Sequence, residues 1–200
     1  INSASEMEFA LQNLWELDVP YHILGSGSNL LVSDSGFPGI ILHNRSHNVK
    51  INTKVDPPLI TAESGATLGQ VAQMASRRGV SGFEWANSIP GTVGGAVYGN
   101  AGAHGSDVAG KLQSVLVITR EAGTHLLTNQ DMGYEYRSSK FKREGKPIVI
   151  LEATFVGGHT DPQASLDLLH NLTEKRKKTQ PVGPSFGSTF KNPPGNFAGK

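Results

Sequence analysis

Residues 85–106 read Trp-Ala-Asn-Ser-Ile-Pro-Gly-Thr-Val-Gly-Gly-Ala-Val-Tyr-Gly-Asn-Ala-Gly-Ala-His-Gly-Ser. Six glycines fall between positions 91 and 105, and no Asp, Glu, Lys or Arg interrupts the stretch. A flexible linker would be polar and would not interleave Ile89, Val93, Val97 and Tyr98 with its glycines. The segment therefore reads as packed, with glycine allowing a close backbone approach or a positive φ. Backbone N–H groups in such turns form concavities that hold an anion without a charged side chain. A phosphate-bearing cofactor suits that chemistry. Tight packing of a loop against a short helix is the other reading.

Working outward, a second glycine-rich turn lies upstream at Gly25-Ser26-Gly27-Ser28-Asn29, following a short strand over Tyr21–Leu24. Its hydroxyl and amide donors, uncharged and crowded into five positions, suit a pyrophosphate; an ordinary inter-strand turn would look similar. Strands are expected again over Leu30–Ser33 and Gly39–His43. This is strand, glycine turn, strand, and Leu30 stands where a third glycine would complete Gly-x-Gly-x-x-Gly. A Rossmann dinucleotide fold is thereby disfavoured.

The rest of the chain alternates the two periodicities. Ser5 with Glu8 offers a capping box for a helix carrying Met7, Ala10, Leu11, Leu14 and Leu17, which Pro20 closes. After Pro57-Pro58 comes a strand, Leu59–Glu63. Thr67 and Gln70 cap a helix with Leu68, Val71, Ala72 and Ala75, ended by Gly79. Gln113–Thr119 and Leu126-Leu127 read as paired strands around Glu121-Ala122-Gly123, and Pro147–Val156 as a longer, apolar strand. Asp161-Pro162 opens a last helix in the N-cap, N1 manner, with Leu166, Leu169 and Leu172 on one face. The Lys175–Lys178 run at its end complements the helix dipole. Residues 181–200, rich in Pro and Gly, open a further unit.

Composition narrows the function. A net charge of +1 gives no footprint for nucleic acid, and no apolar run reaches the length of a membrane span. Zero cysteines exclude disulfides and thiolate metal sites, and no other metal set stands out; a cytoplasmic protein is expected. The 24 glycines are about twice average usage and concentrate around 25–39 and 91–110. Ile1 in place of an initiator Met, and an end at Phe-Ala-Gly-Lys, lead us to expect a portion of a longer polypeptide.

Two further segments carry chemistry. In Tyr136-Arg137-Ser138-Ser139-Lys140-Phe141-Lys142, Arg137 offers a planar fork suited to a carboxylate or phosphate, although a solvated basic stretch is the usual explanation of such a run. In Phe186-Gly187-Ser188-Thr189-Phe190-Lys191-Asn192-Pro193, Ser188 lacks the Gly-x-Ser-x-Gly setting of a hydrolase nucleophile.

Taken in order, the four segments resemble the UDP-N-acetylenolpyruvoylglucosamine reductases (MurB). The resemblance runs from Leu24 to Lys200. It is carried by Gly-Ser-Gly-Ser-Asn-Leu-Leu-Val-Ser-Asp (25–34), Ile-Pro-Gly-Thr-Val-Gly-Gly-Ala (89–96) with Asn-Ala-Gly-Ala (100–103), Tyr-Arg-x-Ser (136–139) and Gly-Ser-x-Phe-Lys-Asn-Pro (187–193). It implies an α+β FAD-binding fold of the vanillyl-alcohol-oxidase/MurB type. A first flavin-gripping lobe would span 1–47, a second 48–180, and 181–200 would begin a substrate lobe.

The implied activity is NADPH-dependent reduction of the enolpyruvyl group of UDP-N-acetylglucosamine enolpyruvate to UDP-N-acetylmuramate through bound FAD, a step of peptidoglycan synthesis. A hydride would reach the methylene carbon and a proton the adjacent carbon. FAD would be held by Gly25, Ser26, Gly27, Ser28, Asn29 and Leu30 on one side. Ile89, Pro90, Gly91, Thr92, Gly94, Gly95, Ala96, Asn100, Ala101 and Gly102 would hold it on the other. Arg137 would orient the substrate carboxylate and stabilise enolate-like charge. Ser188 would donate the proton, and Asn192 would hydrogen-bond the substrate.

A family glutamate near the C-terminus finds no counterpart within these 200 residues. The 51 positions between Arg137 and Ser188 match the branch without the loop that carries a substrate-clamping tyrosine; Tyr134 and Tyr136 read as local structure. The expected partner is a UDP-sugar, and a monomer is expected. Two alternatives stay open. One is another FAD oxidase or dehydrogenase of the superfamily, for which His104 is the sole nearby candidate for covalent attachment. The other is a flavin-binding module without catalysis.

Overall fold

The computed structural model describes residues 1–180 and 190–198. In chain order it places α1 over Ala4–Glu16, β1 over Tyr21–Leu24, β2 over Ile40–His43, β3 over Val49–Asn52 and β4 over Leu59–Glu63. There follow α2 (Leu68–Arg77), β5 (Val80–Ser81), a 3-10 turn (Glu84–Ala86), α3 (Val93–Gly99), β6 (Gly102–Ala103) and β7 (Ser106–Asp107). The second half holds β8 (Leu112–Thr119), β9 (Gly123–Thr128), α4 (Asn129–Met132), α5 (Lys140–Glu144), β10 (Val149–Val156), β11 (Gly158–His159) and α6 (Pro162–Thr179).

The centre is an antiparallel five-stranded sheet in the order β3-β4-β10-β8-β9. Strand β8 shows why it needs cover on both faces. Val115 and Val117 point into a core with α2, α3 and Leu169 of α6, whereas Ile118 points the other way, to Met7, Leu11 and Leu14 of α1. Residues two apart share a face of a strand, so an apolar run in β8 requires two cores. Strand β10 serves both as well, sending Ile150, Ala153 and Phe155 to the first core and Val149 and Leu151 to the second. The small parallel pair β1–β2, in register Tyr21↔Ile40, adds Leu42 to the second core.

Most caps fall where the sequence places them. The Thr67 hydroxyl accepts from Gln70 N–H, the Asp161 carboxylate accepts from Ala164 N–H, and Gly79 leaves α2 with φ +68°. Three expectations fail, the first being Leu17, which lies past the end of α1 and is exposed rather than on its apolar face. Helix α1 is capped by Ser3, whose Oγ accepts the Glu6 N–H, rather than by Ser5. Ser3 and Glu6 repeat the spacing of Ser5 and Glu8, so the pattern fits two registers. The earlier one lets the Ala4 N–H reach a Glu63 carboxylate oxygen, at 3.1 Å. Residues Leu30–Ser33 are not a strand: they are irregular and exposed, Leu31 at 80%. A strand needs a neighbour for its amides, and β1 takes β2 as its partner.

Candidate functional site

The two glycine-rich segments meet. A Cβ on Gly25 would lie 2.6 Å from Thr92 Oγ1, and one on Gly91 would lie 3.1 Å from Ser28 Oγ. Gly27 (φ +68°) and Gly91 (φ +122°) hold backbone conformations that suit glycine. The Gly25 turn thus lies against the N-cap of α3, and the contact leaves no room for a side chain at Gly25.

The 64–68 turn fixes the other side of that N-cap. Leu151, at an irregularity in the β8–β10 register, gives its carbonyl to Ser64 N–H. The Ser64 and Ala66 carbonyls then accept from Gly94 and Val93 N–H, and Leu68 N–H donates to the Gly91 carbonyl. Gly94 permits this approach, since its Cβ would come 3.0 Å from that of Ser64. These two α3 amides are therefore spent within the protein, and any anion here must rely on other donors.

Those donors line a cleft of about 290 Å³ formed by Gly25, Ser26, His43, Asn44, Arg45, His47, Gly65, Thr67, Gln70 and Thr92. None of them is acidic. Its floor is a buried polar chain: Asn44 Nδ2 donates to Ser64 Oγ at 2.8 Å, Ser46 Oγ donates to Asn44 Oδ1 at 2.8 Å, and Gly65 N–H donates to Ser46 Oγ at 3.1 Å. His43, Arg45 and His47 are exposed while Leu42, Asn44 and Ser46 are buried. That alternation continues the period of β2 past its end. It is the signal in the sequence that would have found the cleft's basic rim, missed by reading motifs alone.

An uncharged double turn, an acid-free lining and cationic or imidazole side chains at the rim fit the diphosphate of a dinucleotide. Of the other residues expected at a cofactor, Gly27, Ser28, Asn29 and Leu30 are exposed beside the cleft, and Ile89, Pro90, Gly95 and Ala96 flank the α3 N-terminus. Ala101 and Gly102 lie beyond the far end of α3. There His104 and Gly105, both with positive φ, make the two-residue turn between β6 and β7.

Arg137 also stands at the far end of α3. It occupies a two-residue turn closed by reciprocal backbone bonds between Glu135 and Ser138, at 3.0 and 3.1 Å, and takes φ +57°. Its guanidinium lies 5.6 Å from the centroid of the exposed Tyr136 ring. Among the described residues no carboxylate forms an ion pair with it. Burial, with a contribution from Asp107, holds the Tyr134 phenol well above its usual range, so it acts as a hydroxyl donor. Ser188 lies outside the described residues. Asn192 is exposed, accepting the Ala198 N–H at Oδ1, and no hydrogen bond among the described residues joins it to Arg137 or the cleft. Among the described residues no acid or histidine cluster has metal-binding geometry, and no helix is long and apolar enough to cross a membrane.

Comparison with known proteins agrees with this geometry. Residues 1–128 match the family described as FAD binding domain. The UDP-N-acetylenolpyruvoylglucosamine reductase of Oceanobacillus iheyensis is 39% identical over 199 residues, covering 99% of this chain and 63% of that protein. The chain thus spans about 63% of the length of such curated relatives. The crystal structure of the Thermus caldophilus enzyme superposes with a TM-score of 0.79 at 30% identity, over 100% of this chain and 69% of that one. Cholesterol oxidase from B. sterolicum, at 14% identity and a TM-score of 0.58 over 80% of this chain and 33% of that one, shares the fold alone.

Proposed function

This chain belongs to the UDP-N-acetylenolpyruvoylglucosamine reductase family and carries its FAD-binding α+β fold, and from that premise we propose that it holds FAD for the NADPH-dependent reduction of the enolpyruvyl group of UDP-N-acetylglucosamine enolpyruvate. The observation that carries the reading is the contact of the Gly25–Asn29 turn with Gly91 and Thr92 at the rim of an acid-free cleft.

FAD, when bound, supplies the two-electron relay between NADPH and the enolpyruvyl double bond. The protein's part is placement and field. Gly25 and Ser26, with Thr92 opposite, hold the diphosphate, and Arg45 supplies charge from the rim. Arg137 receives the substrate carboxylate in a bidentate pair and stabilises the negative charge that grows beside it during reduction. Ser188 gives a proton to the adjacent carbon, and Asn192 bonds the substrate. Residues 1–47 and 48–180 act as the two flavin-gripping lobes, and 181–200 begins the substrate lobe.

The test is direct. Full-length protein is expected to purify yellow and to oxidise NADPH only when the enolpyruvyl nucleotide is supplied. Colourless protein without that turnover would overturn the reading.

A further inference from the structure

Helix α3 ends in a way that bears on Arg137. The last carbonyls of a helix lack intrahelical partners. Here two of them are met by side chains from the Arg137 segment: the Tyr134 hydroxyl donates to the Val97 carbonyl at 2.9 Å, and the Ser139 hydroxyl donates to the Tyr98 carbonyl at 2.7 Å. Asn100, the C-cap residue with φ +51°, donates from Nδ2 to the Glu135 carbonyl at 3.0 Å and to Asp107 Oδ2 at 3.2 Å, and accepts the Ala109 N–H at Oδ1. Lys142 Nζ donates to the Arg137 carbonyl at 3.3 Å. Ser139 is fully buried and Asn100 nearly so.

Between these anchors Arg137 keeps a left-handed conformation that is unfavourable for a residue bearing a Cβ and persists only where the surroundings over-determine it. The same helix meets the Gly25 turn at its other end.

We propose that Tyr134, Ser139 and Asn100 are positioning residues for Arg137, setting the height and direction of its guanidinium over the substrate carboxylate from the helix whose other end borders the cofactor cleft. This rests on the reading of Arg137 as the carboxylate's partner. The spacing between cofactor and carboxylate then depends on α3, which meets the Gly25 turn at one end and the Arg137 turn at the other. Loss of one such neutral hydroxyl–carbonyl bond, toward the upper end of the usual range at about 1.4 kcal/mol, changes a rate governed by this alignment about tenfold.

The test is a double-substitution cycle in the full-length flavoprotein, with the two half-reactions followed separately. Arg137→Lys is expected to slow flavin reoxidation by the enolpyruvyl substrate by about 100-fold or more, with reduction by NADPH unchanged within about twofold. Should reoxidation be unaffected, the role of Arg137 itself falls, and the positioning proposal with it. Tyr134→Phe and Ser139→Ala are each expected to slow reoxidation about tenfold alone, but to add less than about twofold on top of Arg137→Lys. Rates unchanged in the single variants, or losses that multiply in the double ones, overturn the positioning role while leaving Arg137 in place.

Hydrogen exchange gives a second readout that needs no turnover. In Tyr134→Phe the Glu135 and Ser138 amides should exchange about tenfold faster, with those of β8 and β10 unchanged. Unaltered exchange at the turn would overturn the proposal even if Ser139→Ala failed to fold.

Discussion

Gly25 and Thr92 meet so closely that a single methyl group on the glycine would lie 2.6 Å from the threonine hydroxyl. The pair joins the turn after β1 to the N-cap of α3 at the edge of the cleft.

Gly25→Ala should therefore part the two walls of the cleft and weaken FAD binding, by about tenfold or more if the displaced contact is worth 1.4 kcal/mol. Thr92→Ala removes both atoms nearest the new methyl, so the double variant should bind FAD no more weakly than Thr92→Ala alone. Flavin fluorescence titration of the apoprotein checks both. Equal affinity for Gly25→Ala and wild type would mean that FAD does not use this junction.

Arg45 stands exposed at the cleft rim, where its charge acts through solvent. Arg45→Gln should weaken FAD binding about three- to tenfold at low ionic strength and much less at high salt, because screening removes the term the substitution deletes. Lys175→Gln, on the last turns of α6, should do neither.

Asn44 is buried and uses its amide group in both directions, toward Ser64 and Ser46. Asn44→Leu removes the donor to Ser64 Oγ and leaves the Ser46 hydroxyl proton and backbone N–H without their acceptor, at a cost of about 1–3 kcal/mol for a buried unsatisfied group. A fall in Tm of roughly 3–10 °C is expected, read by calorimetry. A stability within error of wild type would show that solvent reaches the cleft floor.

Glu152 lies directly opposite Glu63 in the β4–β10 register. Burial raises its carboxyl above the ordinary value; Lys50 opposes the rise and Glu63 adds to it. The sign follows: with the folded value raised, the folded state holds the proton longer than the unfolded chain, so stability falls as pH climbs from the unfolded value through the folded one. Glu152→Gln should raise Tm by about one or two degrees at neutral pH, as relief of like charges facing across a pair predicts, and by nothing at acid pH where Glu152 is already protonated. Melting curves at both pH values decide it.

The parts of the molecule most legible in sequence are those fixed by local chemistry. Leu59–Glu63 is a strand with the expected ends, and Asp161 and Thr67 cap the helices they precede. What escapes is decided by partners remote in the chain. Leu30-Leu31-Val32 reads as a strand because its residues favour one, yet none of the described strands pairs with it. The choice between Ser3 and Ser5 as cap is a choice between two equal patterns. The cleft hides for a third reason: Asn44 and Ser46 are ordinary polar residues until folding buries them between β2 and the Ser64 turn.

Strand β10 sits between β4 and β8 and sends side chains into two cores on opposite faces. Neither core can come apart without exposing the strand that closes the other, so heat should find no half-melted state to populate. Loss of α1 packing and loss of α2 packing should coincide in one transition, with calorimetric and van't Hoff enthalpies equal. A substitution beneath α1, such as Leu11→Ala, would then be felt by the cofactor cleft as a smaller folded fraction rather than as a reshaped site.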